Sequence, residues 1–224
     1  MTSTRRDFLH SATASTAALA MLPAHVFAAL PADLMPVAQG GDWDMSWVGR
    51  VTGKHRACFD CSEPESGYGV WRASAWAGQY ISVLGAAPAD VSTVIVLRHD
   101  AIILAMQQAF WDKYGIGESK KVMHPLTEKA TNSNPSLLDE KDGIPEPFNL
   151  AALHKQIARG ATVLACDLAL WQCVALIKSK AKVSDDEARK QAIAYLVPGV
   201  ILQPSGVFAA VRAQQAGCAY VKAS

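Results

Sequence analysis

The sequence lacks several features that would point to common classes of protein. It has no surplus of charge, because 21 lysine and arginine residues oppose 20 aspartate and glutamate residues, and a neutral chain carries no electrostatic signature of nucleic-acid binding. No apolar run approaches the roughly 18 uninterrupted residues of a membrane span. Glycine-rich dinucleotide and phosphate loops are absent, as are a hydrolase triad and a cluster of metal ligands. We therefore expect no nucleic acid, cofactor, metal or stable membrane span.

The first residues predict export. Residues 4–9 fit the twin-arginine pattern Ser/Thr-Arg-Arg-x-Phe-Leu, and a weakly apolar run rich in Ala, Ser and Thr comes after them. Small or medium residues before Ala28 suit a signal peptidase. We expect a twin-arginine signal peptide at residues 1–28, a periplasmic location, and 19 basic and 19 acidic residues in the remaining chain.

The rest of the chain alternates between strand and helix signals. A lead-in segment at 29–53 precedes a single domain at 54–224, in which residues 116–148 form a long loop insertion. The alternation predicts an α/β domain with a mainly parallel sheet of about five strands flanked by helices on both faces. We predict the N-caps of three helices at Asp100, Asn149 and Ser184. The candidate strands are 55–60, 94–97, 162–165, 200–202 and 219–221.

In a parallel sheet, ligands collect beyond the carboxyl ends of the strands. Those ends carry Asp60 and Cys61, His99 and Asp100, Cys166 and Asp167, and Gln203 and Ser205. From this clustering we expect catalytic roles for Cys166 and His99. The predicted ligand-binding residues are Asp60, Cys61, Asp167 and Ser205.

Cys166 is the centre of this expectation, because it lies where an apolar strand meets the start of an amphipathic helix. Free backbone N–H groups and the positive end of a helix stabilise a thiolate at such a junction. An imidazolium at His99 would add to that effect. The alternatives are a buried inert thiol and a histidine that hydrogen-bonds a loop carbonyl.

The other cysteines suggest structural roles. Cys58 and Cys61 fit Cys-x-x-Cys, but they face opposite ways on a strand, and no second pair completes a zinc site. Cys173 is two helical turns from Cys166, and Cys218 precedes the last strand. A Cys61–Cys166 disulfide across the strand tips is the pairing that we expect if one forms.

Several short segments together resemble one family. They are Lys54-His55-Arg56-Ala57-Cys58-Phe59-Asp60, Leu97-Arg98-His99, Ala165-Cys166, Pro198-Gly199-Val200, Pro204-Ser205-Gly206-Val207 and Gln215-Ala216-Gly217-Cys218-Ala219-Tyr220. In this order and spacing, over about residues 43–222, the chain resembles the DsrE/DsrF-like proteins, and most closely their exported branch with twin-arginine signals. The resemblance implies a compact parallel α/β fold that assembles into trimers or hexamers. It also implies that Cys166 matches a strand-tip cysteine that carries sulfur as a persulfide.

Three functions remain open from the sequence. The first is a periplasmic sulfur-carrier or thiol protein that uses Cys166, with His99 as its electrostatic partner. The second is a non-enzymatic module that holds a small ligand between the strand tips and residues 116–148. The third is a mainly structural oligomer with Cys166 buried. In all three, the expected partners are further copies of the chain and, during export, the twin-arginine translocation machinery.

Overall fold

Five strands form one sheet in the computed structural model, which describes residues 43–224. They are β1 His55–Cys61, β2 Val91–Leu97, β3 Thr162–Cys166, β4 Ile201–Gln203 and β5 Ala219–Lys222. All neighbouring strands run parallel, in the order β4-β3-β2-β1-β5. The predicted parallel sheet is therefore confirmed. The expected signal peptide and residues 29–42 of the lead-in segment lie outside the described residues.

Helices cover both faces of this sheet. They are α1 Tyr68–Leu84, α2 Gln108–Tyr114, α3 Ile116–Ser119, α4 Leu153–Ala158, α5 Asp167–Ala181, α6 Asp185–Ala194 and α7 Gly206–Gln215. Because side chains alternate along a strand, Ile95 and Leu97 pack with α1 and α5 on one face. Val94 and Val96 pack with α7 on the other, where Trp47 is fully buried. β2 and β3 are apolar on both faces because both faces are covered.

The strand order fixes where a site can form. The connections from β1 to β4 advance across the sheet in one direction, whereas α7 returns from β4 to β5 at the opposite edge. Right-handed crossovers therefore place α5 and α7 on opposite faces. The point between the carboxyl ends of β3 and β4, where Cys166 and Gln203 pair in register, is the place at which open parallel sheets bind ligands.

One predicted helix start is wrong because a tight turn replaces it. Asp100 does not cap an α-helix. It lies within a 3₁₀ helix at His99–Ala105, and α2 begins only at Gln108. The five residues after Asp100 are almost fully buried. An apolar run of this length is short for an α-helix, and the narrower 3₁₀ turn brings all of it into the core.

The other two predicted starts have different outcomes. Asn149 is not a cap, because it lies buried inside a 3₁₀ helix at Phe148–Ala151, and α4 starts after Ala152 without a side-chain cap. Ser184 does cap α6, where its hydroxyl accepts the backbone N–H of Glu187 at 3.2 Å. The prediction for Ser184 is confirmed because three acidic residues follow it, and acidic side chains stabilise the N-terminus of a helix.

Residues 116–148, predicted as a long loop, are held by buried polar side chains. Asn134 is fully buried, and its amide donates to the backbone oxygens of Leu104 at 3.1 Å and Met106 at 2.7 Å. Asn132 accepts the N–H of Gly117 at 2.8 Å and donates to the oxygen of Trp111 at 3.1 Å. These bonds replace the regular backbone pairing that a loop lacks. These side chains therefore attach the segment to the rest of the domain.

Within residues 43–224, no helix is both long enough and apolar enough to cross a membrane. The longest, α1, has 17 residues, whereas a membrane-spanning helix needs about 20 predominantly apolar ones.

Candidate functional site at the carboxyl edge of the sheet

Cys166 ends β3 and is the N-cap of α5. Its Sγ atom accepts the backbone N–H of Ala169 at 3.4 Å, in the position that a serine or aspartate oxygen usually takes. The residue is 6% exposed. The sulfur therefore lies at the positive end of a 15-residue helix, where negative charge is favoured. This is the strand-to-helix position that the sequence predicts.

Arg98 and Gln203 flank Cys166 on the neighbouring strands. Leu97 pairs with Ala165 and Cys166 with Gln203, so Arg98 follows β2 at the level of Cys166. The pKa of Arg98 lies above its ordinary value, first because Asp60 accepts its hydrogen bonds, and in smaller part because of the charges of Tyr220 and Cys166. The strand register thus places Arg98 and Cys166 side by side at the carboxyl edge of the sheet.

A buried carboxylate holds this guanidinium in place. Asp60, 3% exposed, accepts from Arg98 Nε at 2.7 Å and from Nη2 at 2.9 Å. The hydroxyl of Tyr220 donates to the same carboxylate at 2.7 Å, which is the main reason that the pKa of Tyr220 is raised. This bidentate geometry fixes the plane of the guanidinium. Arg98 Nη1 makes no hydrogen bond within residues 43–224, and the side chain is 31% exposed.

The start of α7 packs directly on Arg98. Ser205 is the N-cap, and its hydroxyl accepts the N–H of Phe208 at 3.1 Å. Gly206 comes next, and a Cβ atom built there would lie 2.4 Å from the Cβ of Arg98. Ser205 therefore shapes the helix that covers the site, and its hydroxyl oxygen is already engaged.

Gly206→Ala is expected to destabilise the protein because the added methyl group would meet the stem of Arg98. The expected loss in the free energy of unfolding is about 1–3 kcal/mol. Gly78→Ala is the matched control, since Gly78 is an exposed position inside α1 with nothing within 4 Å of an added Cβ. That change should stabilise by about 0.5–1 kcal/mol. Urea unfolding measures both variants, and equal effects would contradict the close contact at Gly206.

His99 does not contact Cys166. Its side chain is 65% exposed, and Nδ1 lies 3.4 Å from Glu63 Oε1. No hydrogen bond joins the imidazole to the sulfur anywhere in the described part of the chain. The electrostatic role of His99 stays a prediction.

Cys61 and Asp167 are both buried among other parts of the domain. Cys61 is fully buried in the core on the α1 face, where a Cβ on Gly69 would come within 2.6 Å of its sulfur. Asp167 is 1% exposed, and Arg189 Nη2 donates to its Oδ1 at 2.7 Å. The Oδ2 atom has no hydrogen-bond partner among residues 43–224. Both residues thus have structural surroundings, and their predicted ligand-binding roles stay predictions.

The expected Cys61–Cys166 disulfide is wrong. All five cysteines are free and buried, and β2 lies between the strands that carry these two. Two strand spacings amount to about 9.5 Å, whereas a disulfide requires Cα atoms closer than about 7 Å. Cys61 and Cys166 both lie at the carboxyl ends of their strands, but those two strands are not adjacent.

Four of the thiols stay protonated at neutral pH. Burial raises the pKa of Cys58, Cys61 and Cys173 to about 12 and that of Cys218 to about 11. Cys61 behaves as a weak donor, since its sulfur donates to the oxygen of Phe59 at 3.9 Å. The sulfur of Cys166 has the opposite hydrogen-bonding role, because it accepts the backbone N–H of Ala169.

One group of side chains in residues 43–224 has a composition that could hold a cation. A nitrogen of His99 and carboxylate oxygens of Glu63 and Asp100 lie within 4.8 Å of one another. The group is largely open to solvent, and Lys120 Nζ lies 3.0 Å from Asp100. The lysine already neutralises that carboxylate, so the arrangement is as well explained by surface ion pairs.

Sequence reasoning missed Arg98 and Tyr220. A signal for Arg98 was present, because Asp60 lies in a strand with an otherwise apolar end, and a buried carboxylate requires a cation or several donors. The first charged residue after the neighbouring strand is Arg98. Tyr220 had no such signal, because its pairing depends on β5 returning to the far side of β1.

The site thus consists of a thiol at a helix N-terminus, a fixed guanidinium beside it, and a second helix start above them. Such a site can stabilise an anionic sulfur and attract an anionic reactant. Comparison with family models, with curated protein sequences and with solved structures found no match to this chain.

Proposed function

We propose that this protein is an exported sulfur-carrier or thiol protein of the DsrE/DsrF-like kind, and that Cys166 carries the sulfur. The observation that supports it is the position of the Cys166 sulfur, which accepts the Ala169 N–H at the start of α5. Arg98, which follows the neighbouring strand at the level of Cys166, adds a positive charge at this edge of the sheet. The five-stranded parallel sheet agrees with the family resemblance but is shared by many other functions.

The reaction is an exchange of sulfur without net oxidation. The Cys166 thiolate attacks the terminal sulfur of a persulfide donor, R–S–S⁻, and the bond between the two donor sulfurs breaks. Cys166–S–S⁻ forms, and the electron pair leaves on R–S⁻. Both sides carry two negative charges, so no other reductant or oxidant is needed. The amide at α5 and the guanidinium of Arg98 would stabilise the charge on the new persulfide.

Cys166→Ser is expected to abolish sulfur loading. The purified protein is incubated with cysteine persulfide and examined by intact-mass and peptide mass spectrometry. The wild-type protein should gain one sulfur atom on the peptide that contains Cys166. Cys218→Ser is the matched control, since Cys218 is also 6% exposed, and it should load as the wild type does. Loading that persists in Cys166→Ser, or a wild-type protein that gains no sulfur, would overturn the proposal.

The proposed setting is the periplasm, reached by the twin-arginine machinery, with the chain assembled as a trimer or hexamer. Support comes from the twin-arginine pattern at residues 4–9 and from the family resemblance. N-terminal sequencing of periplasmic material should begin after Ala28, and native mass spectrometry should give a trimer or hexamer. An intact Met1 in that material would contradict the export route, and a monomer would contradict the assembly.

A further inference from the structure

A cavity lies away from Cys166, between the start of α1 and the segment that follows α3. Its volume is about 280 Å³, near the lower end of small-molecule sites. None of its lining residues belongs to the Cys166 site. The residues that matter most for its chemistry are Tyr68, Trp71, Leu126, Leu138, Ile144 and Phe148.

The walls of this cavity are already formed. Ser136, which lines it, is 2% exposed and donates its hydroxyl to the oxygen of Leu104. On the opposite side, the Tyr68 hydroxyl donates to the oxygen of Pro125 at 2.9 Å and joins α1 to the segment. Asn134 anchors the same stretch from within the core. The ordering cost of binding a ligand is therefore small.

The residues that line the cavity disfavour a charged ligand. No aspartate, glutamate, lysine, arginine or histidine of residues 43–224 is among the lining residues. The hydroxyls of Tyr68 and Ser136 already donate to backbone oxygens. A charged group that entered would lose its water without gaining a counter-ion or a free donor, which is costly. The cavity thus suits a neutral molecule with few polar atoms.

Aromatic faces give the cavity a shape preference. Trp71 and Phe148 stack with ring centroids 5.7 Å apart and an interplanar angle of 21°. Tyr68 meets Trp71 edge-on at 6.4 Å and 82°. At the mouth, Tyr68, Leu126 and Phe148 are 39%, 46% and 37% exposed. Flat rings bind well against such surfaces.

We propose that this cavity binds a small, neutral, planar and mostly apolar molecule, at a site independent of the sulfur chemistry proposed for Cys166. The observation that supports this proposal is a preformed cavity with aromatic walls, no charged lining residue and an open mouth. A volume of about 280 Å³ is too small for an amphipathic helix, so a molecule of one to three fused or linked rings is the occupant that fits.

Binding is tested with N-phenyl-1-naphthylamine, a neutral aromatic probe whose fluorescence rises in apolar sites. The full chain should bind it saturably, with one probe per protomer. Neutral 2-naphthol should displace the probe, and the anion 1-naphthoate should not. Displacement by the anion as readily as by the naphthol, or fluorescence that never saturates, would overturn the proposal.

Variants locate the binding. Ala151→Phe fills the cavity from a lining position, and Leu126→Ala removes apolar contact at the exposed mouth, where it cannot disturb the core. We expect each variant to raise the dissociation constant of the probe by about tenfold or more. Leu84→Ser, at an apolar residue that is 63% exposed on α1, should leave binding unchanged, as should Cys166→Ser. Equal loss in Leu84→Ser, or probe binding that follows concentration-dependent self-association in sedimentation, would contradict a small-molecule site.

Discussion

Asp60→Asn is expected to lower the free energy of unfolding by about 2–3 kcal/mol. Asp60 is 3% exposed and accepts three hydrogen bonds, two from Arg98 and one from Tyr220. An asparagine has one oxygen, so its NH₂ group would face N–H donors on at least one side. The guanidinium would also lose its counter-charge. Its 31% exposure lets water replace part of that interaction, which places the loss below that of a fully enclosed pair.

The control is a pair of the same chemistry at the surface. Arg72 Nη1 lies 2.9 Å from Glu65 Oε2, with side chains 45% and 43% exposed. Glu65→Gln should cost about 0–1 kcal/mol, because solvent screens an exposed pair. Urea unfolding at pH 7 measures both variants. If Asp60→Asn cost no more than Glu65→Gln, the buried pair would not be the anchor of the site, and Arg98 would have no fixed position beside Cys166.

The fold was accessible from the sequence because local patterns and sheet topology agree. Uninterrupted apolar runs such as 94–97 suit a strand covered on both faces, and the structure contains that strand at Val91–Leu97. Ser184 could be predicted as an N-cap from the three acidic residues that follow it. The failures at Asp100 and Asn149 share a cause, because both residues lie in 3₁₀ turns whose burial depends on the packed core. The rules that predict helix caps use only the residues near the helix end in sequence, so they take no account of that packing.

The site was accessible only in part. The position of Cys166 at the end of β3 follows from the strand and helix signals around it, and the structure bears it out. The neighbours of Cys166 depend on strand order, which the sequence does not contain. Placing β2 between β1 and β3 separates Cys61 from Cys166 and brings Arg98 level with the thiol instead. A residue adjacent to Arg98 in sequence, His99, turns to Glu63.

The buried thiols predict a loss of stability at alkaline pH. Burial raises the pKa of Cys173 to about 12, slightly opposed by the charge of Lys120, whereas an unfolded thiol titrates near 8.5. Between these values the unfolded chain releases a proton that the folded chain keeps, so rising pH favours unfolding. The stabilisation is complete below about pH 8.5 and declines towards pH 12, by at most about 1.4 kcal/mol per pH unit for each such thiol.

Cys173→Ala isolates one of these thiols. At pH 7 the variant should be less stable than the wild type by about 1–2 kcal/mol, since it leaves a small cavity. That difference should shrink above pH 8.5 and reverse between about pH 9 and 10, because the alanine has no proton to release. Ile177→Val is the control, as Ile177 is fully buried on the same helix and does not titrate. Urea unfolding across this pH range, in a non-thiol reductant, measures both. A Cys173→Ala difference as constant with pH as that of Ile177→Val would mean that the Cys173 thiol ionises as readily in the folded protein as in the unfolded chain.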